Sequence, residues 1–111
     1  MNDVEIRRKI AELKGWKRQG SMADGTQIGI SPDGISLSIV PDWPVDIADA
    51  WGGLFEELPE PKELEKNNTG WFVGCGYGIV PGEVFQFAEV ADTAPRAICL
   101  AYIQWKESQN A

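Results

Sequence analysis

The chain has 111 residues, 43% of them hydrophobic, and a formal net charge of −7. That length and hydrophobic share fit a single domain, residues 1–111, whose core needs no disulfide staples. The absence of histidine removes Ser-His and Cys-His nucleophile activation, imidazole base chemistry and most transition-metal sites, leaving carboxylates, lysines and hard-cation sites as the chemistry on offer.

The charged start carries no recognisable signal segment, and no apolar run approaches the roughly twenty residues of a membrane span, so a cytosolic protein is expected. Six of the ten basic residues precede position 19 (Arg7, Arg8, Lys9, Lys14, Lys17, Arg18), against three acids there, so this stretch carries +3 and the remainder −10. A general DNA or RNA binder needs a larger positive field, whereas a small anion at a local basic pocket fits such a distribution. Residues 3–14 read as a first helix with Ile6, Ile10 and Leu13 on one face. Gly15 follows as a left-handed cap, and Trp16 folds back on the last turn. Residues 17–25 have no period and read as a loop or a lead into the sheet.

Ile28 and Ile30, then Ile35, Leu37 and Ile39, alternate with small or polar residues around Ser31-Pro32-Asp33-Gly34, which predicts a hairpin with one buried face. Pro41 to Pro44 break the strand. A second helix follows, with Ile47, Ala50, Trp51, Leu54, Phe55 and Leu58 on the stripe that should lie on the sheet. Gly52 and Gly53 interrupt that helix at about 0.8–1 kcal/mol each relative to alanine, which suggests that its backbone approaches something closely. Asp42, Asp46 and Asp49 read as capping and dipole-favoured acids in preference to metal ligands.

Residues 59–70 read as an acidic loop or short helical turn. Trp71, Val73, Cys75, Tyr77 and Ile79 alternate with glycines, Val80-Pro81-Gly82-Glu83 has turn chemistry, and Phe85 and Phe87 return as a second hairpin. Cys75 and Cys99 stand outside any CxxC spacing and read as small core residues, so no metal site or disulfide is expected. The run Gly74 to Gly78 lacks phosphate-loop spacing; it either lets the chain pack closely or opens floor space against Tyr77.

The last helix opens at Asp92-Thr93-Ala94-Pro95 and runs to Gln109. Ala94, Ala97, Ile98, Ala101, Tyr102 and Trp105 form its main stripe, and Cys99, Leu100 and Ile103 widen it beyond what one sheet face can use. The excess predicts a second helix in the same layer or a homo-oligomer through this C-terminal helix. The element order αββαββα, with an antiparallel sheet of two hairpins, implies an α+β fold layered helix, sheet, helix.

Three words of the sequence carry a resemblance: Ile10 to Trp16 (IAELKGW), Pro41 to Trp51 (PDWPVDIADAW) and Ala91 to Ala101 (ADTAPRAICLA). They resemble the phage ABA sandwich domain family, small phage and prophage proteins. The resemblance implies a helix, sheet, helix sandwich, a phage origin and the cytoplasm of a bacterial host; it brings no catalytic residue. Function is then argued from sites. Arg96, a cation in the first turn of a helix, together with Thr93 and exposed N–H groups, suits a bound anion or, equally, a salt bridge to Asp92 or another neighbouring acid. Trp43, in a proline-rich loop, is the tryptophan most available for stacking, while Trp51, Trp71 and Trp105 fall on core stripes. Arg96, Thr93, Trp43, Tyr77, Lys17 and Arg18 are therefore the candidate binding residues for a small anionic ligand such as a cyclic nucleotide or an ADP-ribose derivative. The reading is a non-catalytic phage protein that sequesters a nucleotide immune signal, with no cofactor. The alternatives are an acidic protein that inhibits a host protein through Glu56, Glu57, Glu60, Glu63 and Glu65, or a structural accessory part.

Overall fold

The computed structural model describes residues 1–110. Asn2 starts the first helix, α1 (Asp3–Lys14), through a reciprocal capping box with Glu5, and Gly15 ends it at φ 93° with the Trp16 N–H returning to the Ala11 carbonyl. Three short strands follow: β1 (Lys17–Ser21), β2 (Gln27–Ile30) and β3 (Leu37–Ile39), in the order β1-β2-β3, all antiparallel. The Ser31 to Gly34 turn closes as expected, with the Gly34 N–H donating to the Ser31 carbonyl at 3.1 Å.

Asp46 accepts hydrogen bonds from the Ala48 and Asp49 N–H groups and so caps α2 (Ile47–Gly53), which ends at the glycine pair and passes into a 3-10 turn at Phe55–Glu57. The second sheet comprises β4 (Lys62–Asn67), β5 (Gly70–Tyr77) and β6 (Phe85–Ala91), again antiparallel in chain order. The last helix, α3 (Ala94–Asn110), lies along it. The fold is α+β with antiparallel sheets, as the sequence implies. Each predicted hairpin gains a third strand, β1 and β4, from segments whose charged residues carry no apolar alternation to betray them.

The core is built around α3. Its Ala97, Ile98, Ala101 and Tyr102 meet Val73, Cys75 and Phe87 of the sheet, Ile6, Ile10 and Ala11 of α1, and Ala50, Leu54 and Phe55 of the α2 region in one buried cluster. Cys99 and Ile103 are buried as well. The wide apolar circumference of α3 is thus covered by α1 and α2 of the same chain, the first of the two alternatives that its width predicts.

Burial holds the neutral forms of three core groups. The Cys75 thiol is pushed up to about 11 by desolvation, and Cys99 and the Tyr102 hydroxyl are raised further for the same reason, with Glu57 adding to the shift at Tyr102. The stabilising contribution of the Cys75 thiol is complete below the ordinary thiol value of 9.0 and is lost as the pH climbs through about 11. Stability measured by urea unfolding is therefore expected to fall between pH 9 and 11, with a slope of about 1.4 kcal/mol per pH unit for each proton released. Cys75→Ala should flatten that slope.

Two expectations about packing change. In the first sheet Gln27 and Gly29 face the body of the protein, while Ile35, Leu37 and Ile39 are 98%, 60% and 65% exposed, so the predicted buried face points outward. The reason lies at Gly29, where a Cβ would meet the Lys17 carbonyl oxygen at 3.2 Å and the Trp16 ring at 3.3 Å: the residue without a side chain lets Trp16 lie against the strand. In α2 only the Ala50 side of the predicted stripe reaches the core. Ile47 and Trp51 are about half exposed, which contradicts the core assignment of Trp51.

Candidate binding cleft at the start of the last helix

Beside the first turn of α3 the surface forms two adjoining hollows that share Asp92, Thr93 and Pro95 as a common wall. One, about 430 Å³, is lined also by Asp3, Pro44, Val45 and Arg96. The other, about 450 Å³, is lined by Ile47, Trp51, Leu64, Trp71 and Ala94. Each falls within the size range of small-molecule sites. Apolar, ring-bearing walls on one side and ionic groups on the other make the cleft amphipathic.

The local fold explains who lines it. The seven-residue α2 turns Trp51 outward, where its ring stacks on Phe55 at a centroid distance of 4.4 Å and is held flat. Trp71 sits near the start of β5, opposite Lys66 of β4 and Ala91 of β6, with the Lys66 ammonium 6.0 Å from its ring centroid. Gly70, at φ 144°, brings the β4–β5 turn against the Ala91 and Asp92 backbone, just ahead of α3.

The ionic side is already paired. The Arg96 guanidinium contacts the Asp3 carboxylate at 2.5 Å and the Asp92 carboxylate at 3.8 Å, and it also donates to the Met1 carbonyl. The Thr93 hydroxyl accepts from the Arg96 N–H and the Thr93 carbonyl from the Ala97 N–H, while Pro95 has no N–H to offer. The helix start is therefore largely satisfied internally. Two carboxylates against one guanidinium give this hollow a net charge of −1 and leave carboxylate oxygens as acceptors for hydroxyl donors. The cation in the first turn of the helix is accounted for by Asp3, reached from the start of α1, a partner that local sequence does not reveal.

Thr93 and Arg96 alone of the six predicted binding residues line the cleft. Trp43 is 3% exposed and packed in the core, with its Nε1 3.0 Å from where a Cβ on Gly53 would stand; of the glycine pair only Gly53 makes the inferred close approach, to this indole, and the buried ring has no face free for stacking. Tyr77 lies at the far end of β5, six residues or about 20 Å along the strand from Trp71. The Phe85 ring fills the space over Gly74, so at that position the glycine run serves close packing. Lys17 and Arg18 sit beyond the C-terminal end of α1, about 16 Å of helix away from the Asp3–Arg96 pair. Sequence reasoning missed Trp51 and Trp71. The signal available was the shortness of the helix around Trp51, since seven residues give fewer than two full turns to bury.

The aspartates of the preceding linker have structural employment. Asp46 caps α2, Asp49 accepts from the Asp42 N–H at 3.0 Å, and the Asp42 carboxylate stands 4.0 Å from Arg7. Among the described residues no group of three or more potential ligands converges as a metal site. The acids of residues 56–65 are interleaved with cations. Lys14 pairs with Glu57 at 2.6 Å, and Lys62 donates to the Phe55 and Glu56 carbonyls.

The architecture is that of a small α+β domain with two antiparallel sheets and an amphipathic cleft at the start of α3. The chain is similar to a phage protein from Bacillus cereus ATCC 14579, solved at 2.0 Å: the structures superpose with a TM-score of 0.64 at 26% sequence identity, over 93% of this chain and 90% of that one. No family model and no curated protein matches the sequence.

Proposed function

We propose that this is a phage-encoded, non-catalytic binding protein that holds a small nucleotide-type molecule in the cleft at the start of α3, as a protein that withdraws a host signal nucleotide would. The similarity to the Bacillus cereus phage protein supports the phage origin. The observation that carries the ligand class is the pairing of the half-exposed Trp51 ring and the partly buried Trp71 ring with the Asp92 and Asp3 carboxylates across one shared wall. Indole faces accept a base by stacking, worth about 1–3 kcal/mol per base, and carboxylates accept hydrogen bonds from ribose hydroxyls. The net −1 of the ionic hollow disfavours a polyphosphate there, so the base and sugar enter the cleft and any phosphate lies toward solvent.

The test is thermal unfolding of the full chain against cyclic dinucleotides, ADP-ribose derivatives, nucleosides and inorganic phosphate, followed by mass analysis of what heating releases. A bound ligand at one hundred times its Kd stabilises by about 2.7 kcal/mol, or several degrees. A rise with nucleosides and nucleotides, release of the compound intact and no rise with phosphate is the expected result. No rise with any compound, or release of a cleaved one, overturns the reading.

A further inference from the structure

We infer that β3 is the pairing edge of a homodimer, in which two copies join their first sheets into one six-stranded antiparallel sheet. The four outer strands of the two sheets are treated unequally. β1 presents Lys17 and Arg18 and breaks its register between Lys17 and Gly20, β4 presents Lys62, Glu63, Glu65 and Lys66, and β6 contains Glu89 and runs beside α3. Charges and bulges of that kind blunt an edge against pairing. β3, Leu37-Ser38-Ile39, has none of these features, and its three residues are all exposed.

The hydrogen-bond phase leaves this edge open. The Val40 N–H donates to the Gln27 carbonyl, so alternation turns Ser38 inward to Gly29 and directs the N–H and C=O groups of Leu37 and Ile39 away from the sheet. The resulting edge is self-complementary. A two-fold axis at Ser38 sets Leu37 opposite Ile39 of the partner subunit, and Ile39 opposite its Leu37, each as a fully hydrogen-bonded pair. In this register the Ile28, Ile30, Leu37 and Ile39 face continues unbroken across the axis, because opposed residues in an antiparallel pair point to the same side.

Charge favours a second copy as the occupant. Residues 17–40 hold Lys17 and Arg18 against Asp24 and Asp33 and are neutral, whereas residues 41–111 hold four cations against twelve acids. Two molecules of net charge −7 can therefore meet at this sheet with their acidic portions held apart.

The experiment is sedimentation of the full chain at about 100 μM, together with two variants. The wild type is expected at twice the 12.2 kDa chain mass. Ile39→Lys changes a side chain that is 65% exposed within its own chain and should sediment as a folded monomer whose melting midpoint no longer depends on protein concentration. Ser38→Cys faces its own copy at a Cα separation of about 4.5 Å, within disulfide range, and should crosslink under mild oxidation, while the buried Cys75 and Cys99 stay silent. A monomeric wild type, a dimer that survives Ile39→Lys, or a Ser38→Cys protein that does not crosslink overturns the proposal. A monomer that gains mass only with a foreign strand-forming peptide counts against it equally.

Discussion

Gly70→Ala is expected to lower the melting midpoint by roughly 10 °C. At φ 144° the backbone of Gly70 lies where a side chain is strained, and an added Cβ would run into the Ala91 carbonyl oxygen, which belongs to the chain itself and cannot swing aside. Gly70 closes the β4–β5 turn opposite Asn67, and Ala91 ends β6 three residues before α3 begins. Relieving the overlap must separate the turn from β6. The cost is about 2–3 kcal/mol, which at some 4 °C per kcal/mol for a domain near 100 residues gives the stated shift. Differential scanning calorimetry checks it. Gly52→Ala is the control: nothing stands within 4 Å of its added Cβ, and alanine favours the helix, so its midpoint should hold or rise. A Gly70→Ala midpoint within 2 °C of wild type would mean that the turn is not pinned against β6.

The second large effect is expected at the cleft. Trp71→Ala should weaken the binding of a nucleoside-type ligand about 10- to 100-fold, and Trp51→Ala by a similar factor, because each removes one stacking face. Both side chains are only partly buried, so these variants should stay folded, and calorimetric titration can separate lost affinity from lost stability. Trp43→Ala is the opposite case: its indole is core, so the variant should lose roughly 12–20 °C of melting midpoint through a cavity costing about 3–5 kcal/mol. Equal affinity in Trp71→Ala and wild type would remove the indole face from the recognition scheme. Arg96→Ala is expected to act chiefly through the loss of its contacts to Asp3 and Met1, which join the start of α3 to the start of α1.

Much of the architecture was legible because it depends on local physics. The capped helix from Asp3 to Lys14, the Gly15 stop, the turns at Ser31 to Gly34 and Val80 to Glu83, the caps at Asp46 and Thr93, and the buried stripe of the last helix all follow from residue type and period. β1 and β4 were not legible, because their residues are mainly polar and their partners supply the pairing. The site was legible only at Thr93 and Arg96. Trp43 and Trp51 exchanged roles, since burial of a tryptophan depends on which neighbour lacks a side chain, here Gly53, and on how soon a helix stops.

The sequence by itself therefore determined the helix starts, the turns, the antiparallel α+β class, the absence of histidine and the split of charge along the chain. Only the tertiary structure decided that α3 is covered by α1 and α2 of its own chain, that Arg96 is held by Asp3 from the other end of the sequence, and that the isoleucine face of the first sheet looks outward. The physical reason is range. Caps, turns and amphipathic periods act over four or five residues, where the sequence is its own context. The burial of a stripe, the partner of a charge and the direction of a sheet face are settled by segments tens of residues apart competing for the same core.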